Sequence, residues 1–280
     1  MNAEMIQSRF AVMNNAYAAY SFDSYLDSMD ALGLNQIDLW GGVQHFDPFD
    51  GDSGYVAAFR SRIRRRGMRI IAYTPELLAY PFNFASPDQR VRKESVAYAR
   101  RNIEICAELE CPLMLLSPGW GLLDVPIADS RAWSDDCLAQ LGDSAQSYGV
   151  QLALEHLTPQ SSNLLTCRDA VVDTLNRIGH PMLGAVLDLG QMSLFGERVE
   201  DYTRTLGERL VHVHIMDGDP ACHLAFGDGI LPLEEYFKAL TEAGYRGCLT
   251  LEINDGRYAR NPHGALQQCV DALRKWSVTA

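Results

Sequence analysis

The chain has 280 residues, 47% hydrophobic and 21% charged, with a formal net charge of −12. That length suits one large domain, 1–280, and the composition suits a chain able to bury a core. The acidic balance argues against sequence-independent binding to nucleic acid, which needs Lys and Arg to neutralise phosphates, and no apolar run reaches membrane-spanning length.

Residues 10–13 read as a first strand, followed by a polar and aromatic loop, 14–21. Phe22, Tyr25, Leu26, Met29 and Leu32 recur at helical spacing, and Gly33 stops that helix. A second strand, 36–40, ends in Trp-Gly-Gly, and its loop, 41–53, carries His45, Asp47 and Asp50. The basic helix 55–66 is stopped by Gly67, and 69–73 is a third strand with an aromatic, proline-rich loop, 74–85. Ser86 followed by Pro87 predicts an N-cap with proline at the first helical position, opening a helix that runs to about residue 110. Further strands are expected at 112–117, 151–155, 183–188, 210–215 and 248–253. Helices are expected at 131–148, 164–178, 199–208, 233–243 and 264–276. Eight strand-then-helix units, with leucine-rich or β-branched strands, predict an α/β fold, a parallel sheet closed as a (β/α)8 TIM barrel. No G-x-G-x-x-G follows the first strand, which weakens a dinucleotide-binding reading.

Four of the strand runs close on a potential ligand: Glu155, Asp188, His214 and Glu252. In such a barrel the C-terminal ends of the strands face one mouth. Taken singly, an acid at a strand end is as readily a helix cap or a loop salt bridge. Four at the fifth to eighth strands form an arc and point to a metal site. Two Glu, one Asp and one His are oxygen-rich, which suits one divalent ion, Mn²⁺ first, with Mg²⁺, Co²⁺, Ni²⁺, Fe²⁺ or Zn²⁺ also compatible. His212 shares a strand face with His214 and lies deeper, reading as a core histidine or as a support behind the ligands, while His156 faces the other way from Glu155.

Only Lys93, Lys238 and Lys275 supply amines, all in predicted helices, which disfavours Schiff-base chemistry. Seven cysteines without a C-x-x-C read as small buried hydrophobes in a reducing compartment, and no signal-peptide pattern opens the chain, so the expected location is cytoplasmic.

The stretches Ile37-Asp38-Leu39-Trp40-Gly41-Gly42, Tyr73-Thr74-Pro75-Glu76, Tyr80-Pro81-Phe82-Asn83 and Leu154-Glu155-His156-Leu157-Thr158-Pro159 resemble the fructoselysine 3-epimerases, within the xylose-isomerase-like sugar isomerases and epimerases. The similarity extends to the loop 223–229, HLAFGDG, and to Leu231-Pro232-Leu233. The resemblance implies a metal-dependent sugar epimerase with a small sugar substrate, working as a dimer or tetramer. It implies a metal on Glu155, Asp188, His214 and Glu252, with Glu155 and Glu252 as the proton-transfer pair. A ketose would chelate through its C2 and C3 oxygens, and one carboxylate would remove the C3 proton while the other returns one on the opposite face. The chain departs from the free-ketose epimerases at Ser161, Gln191 and Pro220, where they place a glutamate, a histidine and an arginine. Trp40, Trp120 and Tyr80 are expected to offer ring faces to the sugar, and His45, Glu76, Arg257, Gln191 and His223 polar contacts. Aldose–ketose isomerase or dehydratase chemistry on the same quartet, and a sugar-binding protein that lost its catalytic competence, are the competing readings.

Overall fold

Short runs that are apolar at every position need covering on both faces, and a barrel wrapped by helices supplies this. The computed structural model describes residues 1–49, 52–78, 81–219 and 222–276. The strands are β1 Phe10–Met13, β2 Gln36–Gly41, β3 Arg69–Pro75, β4 Leu113–Leu116, β5 Gln151–Glu155, β6 Leu183–Asp188, β7 Leu210–Ile215 and β8 Leu249–Leu251. They pair in parallel in chain order, and β8 returns to β1, closing the barrel.

The helices are α1 Ala3–Arg9, α2 Phe22–Leu32, α3 Ser53–Arg65, α4 Gln89–Glu108, α5 Ile127–Tyr148, α6 Arg168–Ile178, α7 Leu189–Leu194, α8 Val199–Leu206, α9 Leu233–Glu242 and α10 Pro262–Lys275. Two of them escape the sequence reading. α1 is a short helix capped by the Asn2 side chain, with Ile6 its one buried residue, so it carries no apolar period to read. α7 follows β6 directly, with Asp188 as its N-cap. Where Ser86 and Pro87 predict the start of α4, the cap is instead Asp88, whose carboxylate accepts from the Arg90 amide at 2.8 Å. α6 begins four residues later than expected, because Leu164 and Leu165 are buried from an irregular segment.

Side chains alternate between the barrel interior and the helix layer. Inside, Ala72, Leu113, Leu115, Ala153 and Val186 make an apolar cluster on β3–β6. The β2, β7 and β8 side is polar instead, with Asp38, His212 and Thr250 fully or almost fully buried. Two register shifts interrupt the barrel, at Ile37/Asp38 between β2 and β3 and at Ala185/Val186 between β6 and β7. The second lies beside Gly184, where a Cβ would meet the Arg209 carbonyl and the Val211 side chain at 2.8 Å.

Candidate active site

Glu155 ends β5, Asp188 ends β6, His214 lies one residue inside the end of β7 and Glu252 follows β8 directly. Parallel closure therefore brings all four to one mouth, and one ligand atom of each lies within 4.8 Å of the others. The His214 Nδ1 atom is 3.2 Å from Glu155 Oε1 and 2.9 Å from Glu252 Oε2. The His223 Nε2 atom is 3.6 Å from Asp188 Oδ2 and 3.8 Å from Glu252 Oε2. Side-chain exposure divides the set: Asp188 and His214 stand at 0% and 2%, whereas Glu155 and Glu252 keep 17% and 14%.

The electrostatics of the quartet suit a divalent cation. Burial, reinforced by the nearby Glu155 charge, pushes the Asp188 carboxyl up to about 7. Burial disfavours a charged His214, yet Glu252 and Glu155 override it and hold the ring well above the usual histidine range. Burial likewise opposes the Glu252 carboxylate, but His223 and His214 pull it below its ordinary value. Among the described residues, the Asp188 Oδ2 atom and both His214 ring nitrogens are buried without a hydrogen-bond partner, although Asp188 Oδ1 accepts from the Gln191 amide at 2.6 Å. Three carboxylates and an imidazole aimed at one point, with orphaned lone pairs, are a donor set that can hold a divalent metal.

The mouth has three lobes that share walls. One, of about 290 Å³, holds Glu155, His214 and Glu252 together with Trp40 and Glu76. A second, of about 340 Å³, adds Gln191, His223 and Ser161. The third, of about 370 Å³, lies under Trp120 and reaches Arg90 and Glu94. Leu78 borders all three. Trp40 and Glu76 line the first of these lobes, Gln191 and His223 the second and Trp120 the third. Among the described residues, Gln191 Oε1 is buried there without a partner, and His223 Nδ1 lies 3.2 Å from Asn254 Oδ1. Tyr80 and Pro220 lie outside the described residues.

Two expected contacts are corrected. His45 is buried, and both ring nitrogens are spent inside the fold, Nδ1 with Asn14 Nδ2 at 2.8 Å and Nε2 with the Tyr20 carbonyl at 2.9 Å. Its ring packs on Phe22, with 5.5 Å between centroids, and it lines none of the three lobes. Arg257 is exposed and turned onto Asp255, to whose Oδ1 its Nε donates at 3.0 Å. A loop charge finds its nearest carboxylate, so neither residue reaches the cavity. His156 faces outward as expected, fully buried against Tyr202, and burial lowers it to about 4.

Three polar residues at the site went unread in the sequence. Asn15 Nδ2 and Asn254 Nδ2 both donate to Glu252 Oε1, at 3.3 and 3.4 Å. Asn254 sits two residues beyond Glu252, so alternation along an extended strand could have flagged it. Asp38, beneath His214, is the third.

With this geometry in hand, the comparisons are specific. A family model for the xylose isomerase-like TIM barrel matches residues 26–276. The fructoselysine 3-epimerase of Shigella flexneri is 30% identical over 246 residues, spanning 87% of this chain and 88% of the relative. The fructoselysine 3-epimerase of Escherichia coli O157:H7 matches at the same identity over 89% of its length. The solved structure of an L-ribulose 3-epimerase superposes with a TM-score of 0.80 over 95% of this chain and 93% of that one, at 22% identity, a likeness of fold. The chain belongs to the xylose isomerase-like TIM barrel family as a fructoselysine 3-epimerase-like member, and is an isomerase of the carbohydrate-epimerase type.

Proposed function

We propose that this protein inverts C3 of a ketose or ketosamine, a fructoselysine-like sugar, by proton transfer between two glutamates. The observation that carries the reading is the division within the quartet. Asp188 and His214 are almost fully buried, whereas Glu155 and Glu252 each keep an edge open to the cavity and approach the same His214 nitrogen at 3.2 and 2.9 Å. Two carboxylates that share one sugar-sized space suit removal of a proton by one and its return by the other.

Glu155, Asp188, His214 and Glu252 would hold the metal, with Mn²⁺ favoured among the divalent ions by the oxygen-rich set. When bound, that ion supplies a Lewis acid for the C2 and C3 oxygens of the sugar. Asn15 and Asn254 donate to Glu252 Oε1 and keep that carboxylate oriented and ionised. Glu252 is then ready to accept the C3 proton of one epimer, and Glu155 serves the other. Gln191 and His223 line the lobe beside the pair and offer hydrogen bonds to the sugar hydroxyls. Glu76 adds a negative charge to the first lobe, which suits the cationic amine of a ketosamine. A homodimer or tetramer in the cytoplasm is the setting the resemblance suggests.

The test is proton exchange at C3 in D₂O, followed by NMR with the metal-loaded protein over free ketoses, fructosamines and phosphorylated ketoses. Exchange with inversion in one class assigns the substrate. Exchange in none of them, with metal bound, overturns the enzyme reading and leaves a sugar-binding protein. Loss of water from the substrate, or deuterium entering at C1, would redirect it to dehydratase or aldose–ketose isomerase chemistry.

A further inference from the structure

Directly beneath His214, on the polar side of the barrel interior, three strands send side chains to a single carboxylate carried by a fourth. Asp38 of β2 is fully buried. Its Oδ2 atom lies 3.1 Å from His212 Nε2 and accepts from Thr250 Oγ1 at 3.0 Å. It is also 3.3 Å from His214 Nε2, within ion-pair reach but not aligned as a hydrogen bond in the metal-free chain. Its Oδ1 atom accepts from Thr74 Oγ1 at 3.3 Å. His212 Nε2 also lies 2.9 Å from Thr250 Oγ1, and the rings of His212 and His214 meet edge to face, 5.2 Å apart. β2, β3, β7 and β8 thus converge on one negative charge in the barrel floor.

Both irregularities of the barrel adjoin this charge. Across β2 and β3, Ile37 pairs with Ile70 and Asp38 with Ala72, which leaves Ile71 as an extra residue immediately beside Asp38's partner. Across β6 and β7, Ala185 pairs with Leu210 and Val186 with His212, which leaves Val211 extra immediately before His212. A bulge re-aims the side chains next to it. Here the two bulges flank the two residues that must meet across the barrel.

We infer that Asp38 is a positioning residue for the metal centre: it accepts the Nε2 proton of His214 and so leaves Nδ1 as the ligand atom facing Glu155 and Glu252. The chemistry is general. An imidazole that binds a metal through one nitrogen is fixed in tautomer and orientation by an acceptor on the other. Asp38 has the charge and place for this, and His212, Thr250 and Thr74 saturate its remaining lone pairs, so the carboxylate cannot swing toward the cavity. The same three residues, Asp38, His212 and His214, also lie close enough to hold an ion of their own. The hydrogen bonds already drawn onto Asp38 argue for the positioning role, since a second ion would compete with three donors.

The inference rests on the metal reading above, and two measurements separate the two. The first counts Mn²⁺ per chain and its dissociation constant by titration calorimetry, for the unsubstituted protein and for Asp38→Asn. One ion per chain is expected, with affinity in the variant falling roughly 10- to 100-fold. Failure of the unsubstituted protein to bind Mn²⁺ overturns the metal reading itself. Two ions per chain, or an unchanged dissociation constant in a folded Asp38→Asn, overturns the role of Asp38 alone. The second measurement needs no variant. Two-bond ¹H–¹⁵N correlations of the seven histidines in the Zn²⁺-loaded protein should show His214 with a proton on Nε2 and none on Nδ1. A His214 protonated on Nδ1, or unprotonated on Nε2, refutes the assignment.

Discussion

Replacing Glu252 by Gln removes a charge and a proton acceptor and leaves the shape nearly intact. His214 loses the carboxylate 2.9 Å from its Nδ1 but keeps Glu155 at 3.2 Å and Asp38 at 3.3 Å from its Nε2. The ring is therefore not orphaned, and the cost to the metal-free fold should lie near 1–2 kcal/mol, below the roughly 3–5 kcal/mol of a stripped buried charge. With an unfolding entropy of about 2.1 cal/mol/K per residue over 280 residues, Tm falls by about 2–3 °C. Loss of a positioned base costs about 10²–10⁴ in kcat, or roughly 3–5 kcal/mol of barrier. Three ligands remain, so the metal should still bind, more weakly.

The sharper readout is isotopic. With one glutamate left, a sugar can still lose its C3 proton to that residue and regain deuterium from the same face. Glu252→Gln should therefore exchange C3 of one epimer with D₂O, without inversion, and leave the other epimer untouched. Glu155→Gln should show the opposite preference. The assay is NMR of each purified epimer in D₂O with the metal-loaded variant. Exchange of both epimers by either variant, or full epimerase turnover in either, would refute the two-base assignment.

Metal uptake should depend on pH. Because Asp188 is raised to about 7, its proton must leave for the ion to bind, so affinity rises as pH climbs through about 7. His214, raised by Glu252 and Glu155, must also lose a proton. Calorimetry in buffers of different ionisation enthalpy should count more protons released at pH 6 than at pH 8. In the metal-free chain, the raised Asp188 pKa gives stability that is complete below the ordinary aspartate range and is lost as pH rises through about 7, which urea midpoints at pH 5 and pH 8 would show. Metal at 100 times its dissociation constant should add about 2.7 kcal/mol, or about 5 °C in Tm for 280 residues, and EDTA should remove both that gain and the C3 exchange. Finally, His45→Ala should cost about 2–3 kcal/mol through one stranded Asn14 N–H, whose amide otherwise keeps Trp40, the orphaned Tyr20 carbonyl and lost packing on Phe22, with KM unchanged. A raised KM at native stability would restore His45 to the cavity.

The barrel and the quartet were legible for a shared reason. Each strand is a short apolar run, and parallel closure converts the end of a run into a place at the mouth. Glu155, Asp188, His214 and Glu252 therefore needed no contact information: their positions along their own strands sufficed. Helix starts were less legible. Ser86 and Asp88 are both good caps, and only packing decides between them. Leu164 and Leu165 have the apolarity of a helix face but are buried from a loop.

The misread His45 and the unread Asp38 share a different property, because their roles depend on what lies across the molecule. His45 reads as a loop histidine on a sugar-binding barrel until Asn14 and the Tyr20 carbonyl are brought to its two nitrogens. Asp38 reads as a polar interruption in an apolar strand, and nothing local says that His212, 174 positions away in sequence, will meet it. Its register with β3 also shifts at that very residue, so a count by twos along ideal strands would misalign it with its neighbours. A buried aspartate in the floor of an otherwise apolar barrel is costly unless its charge is compensated. That cost is the signal the sequence does carry. An acid inside a predicted buried strand calls for partners deep in the barrel, and here the partners are the metal-facing histidine and the histidine beneath it.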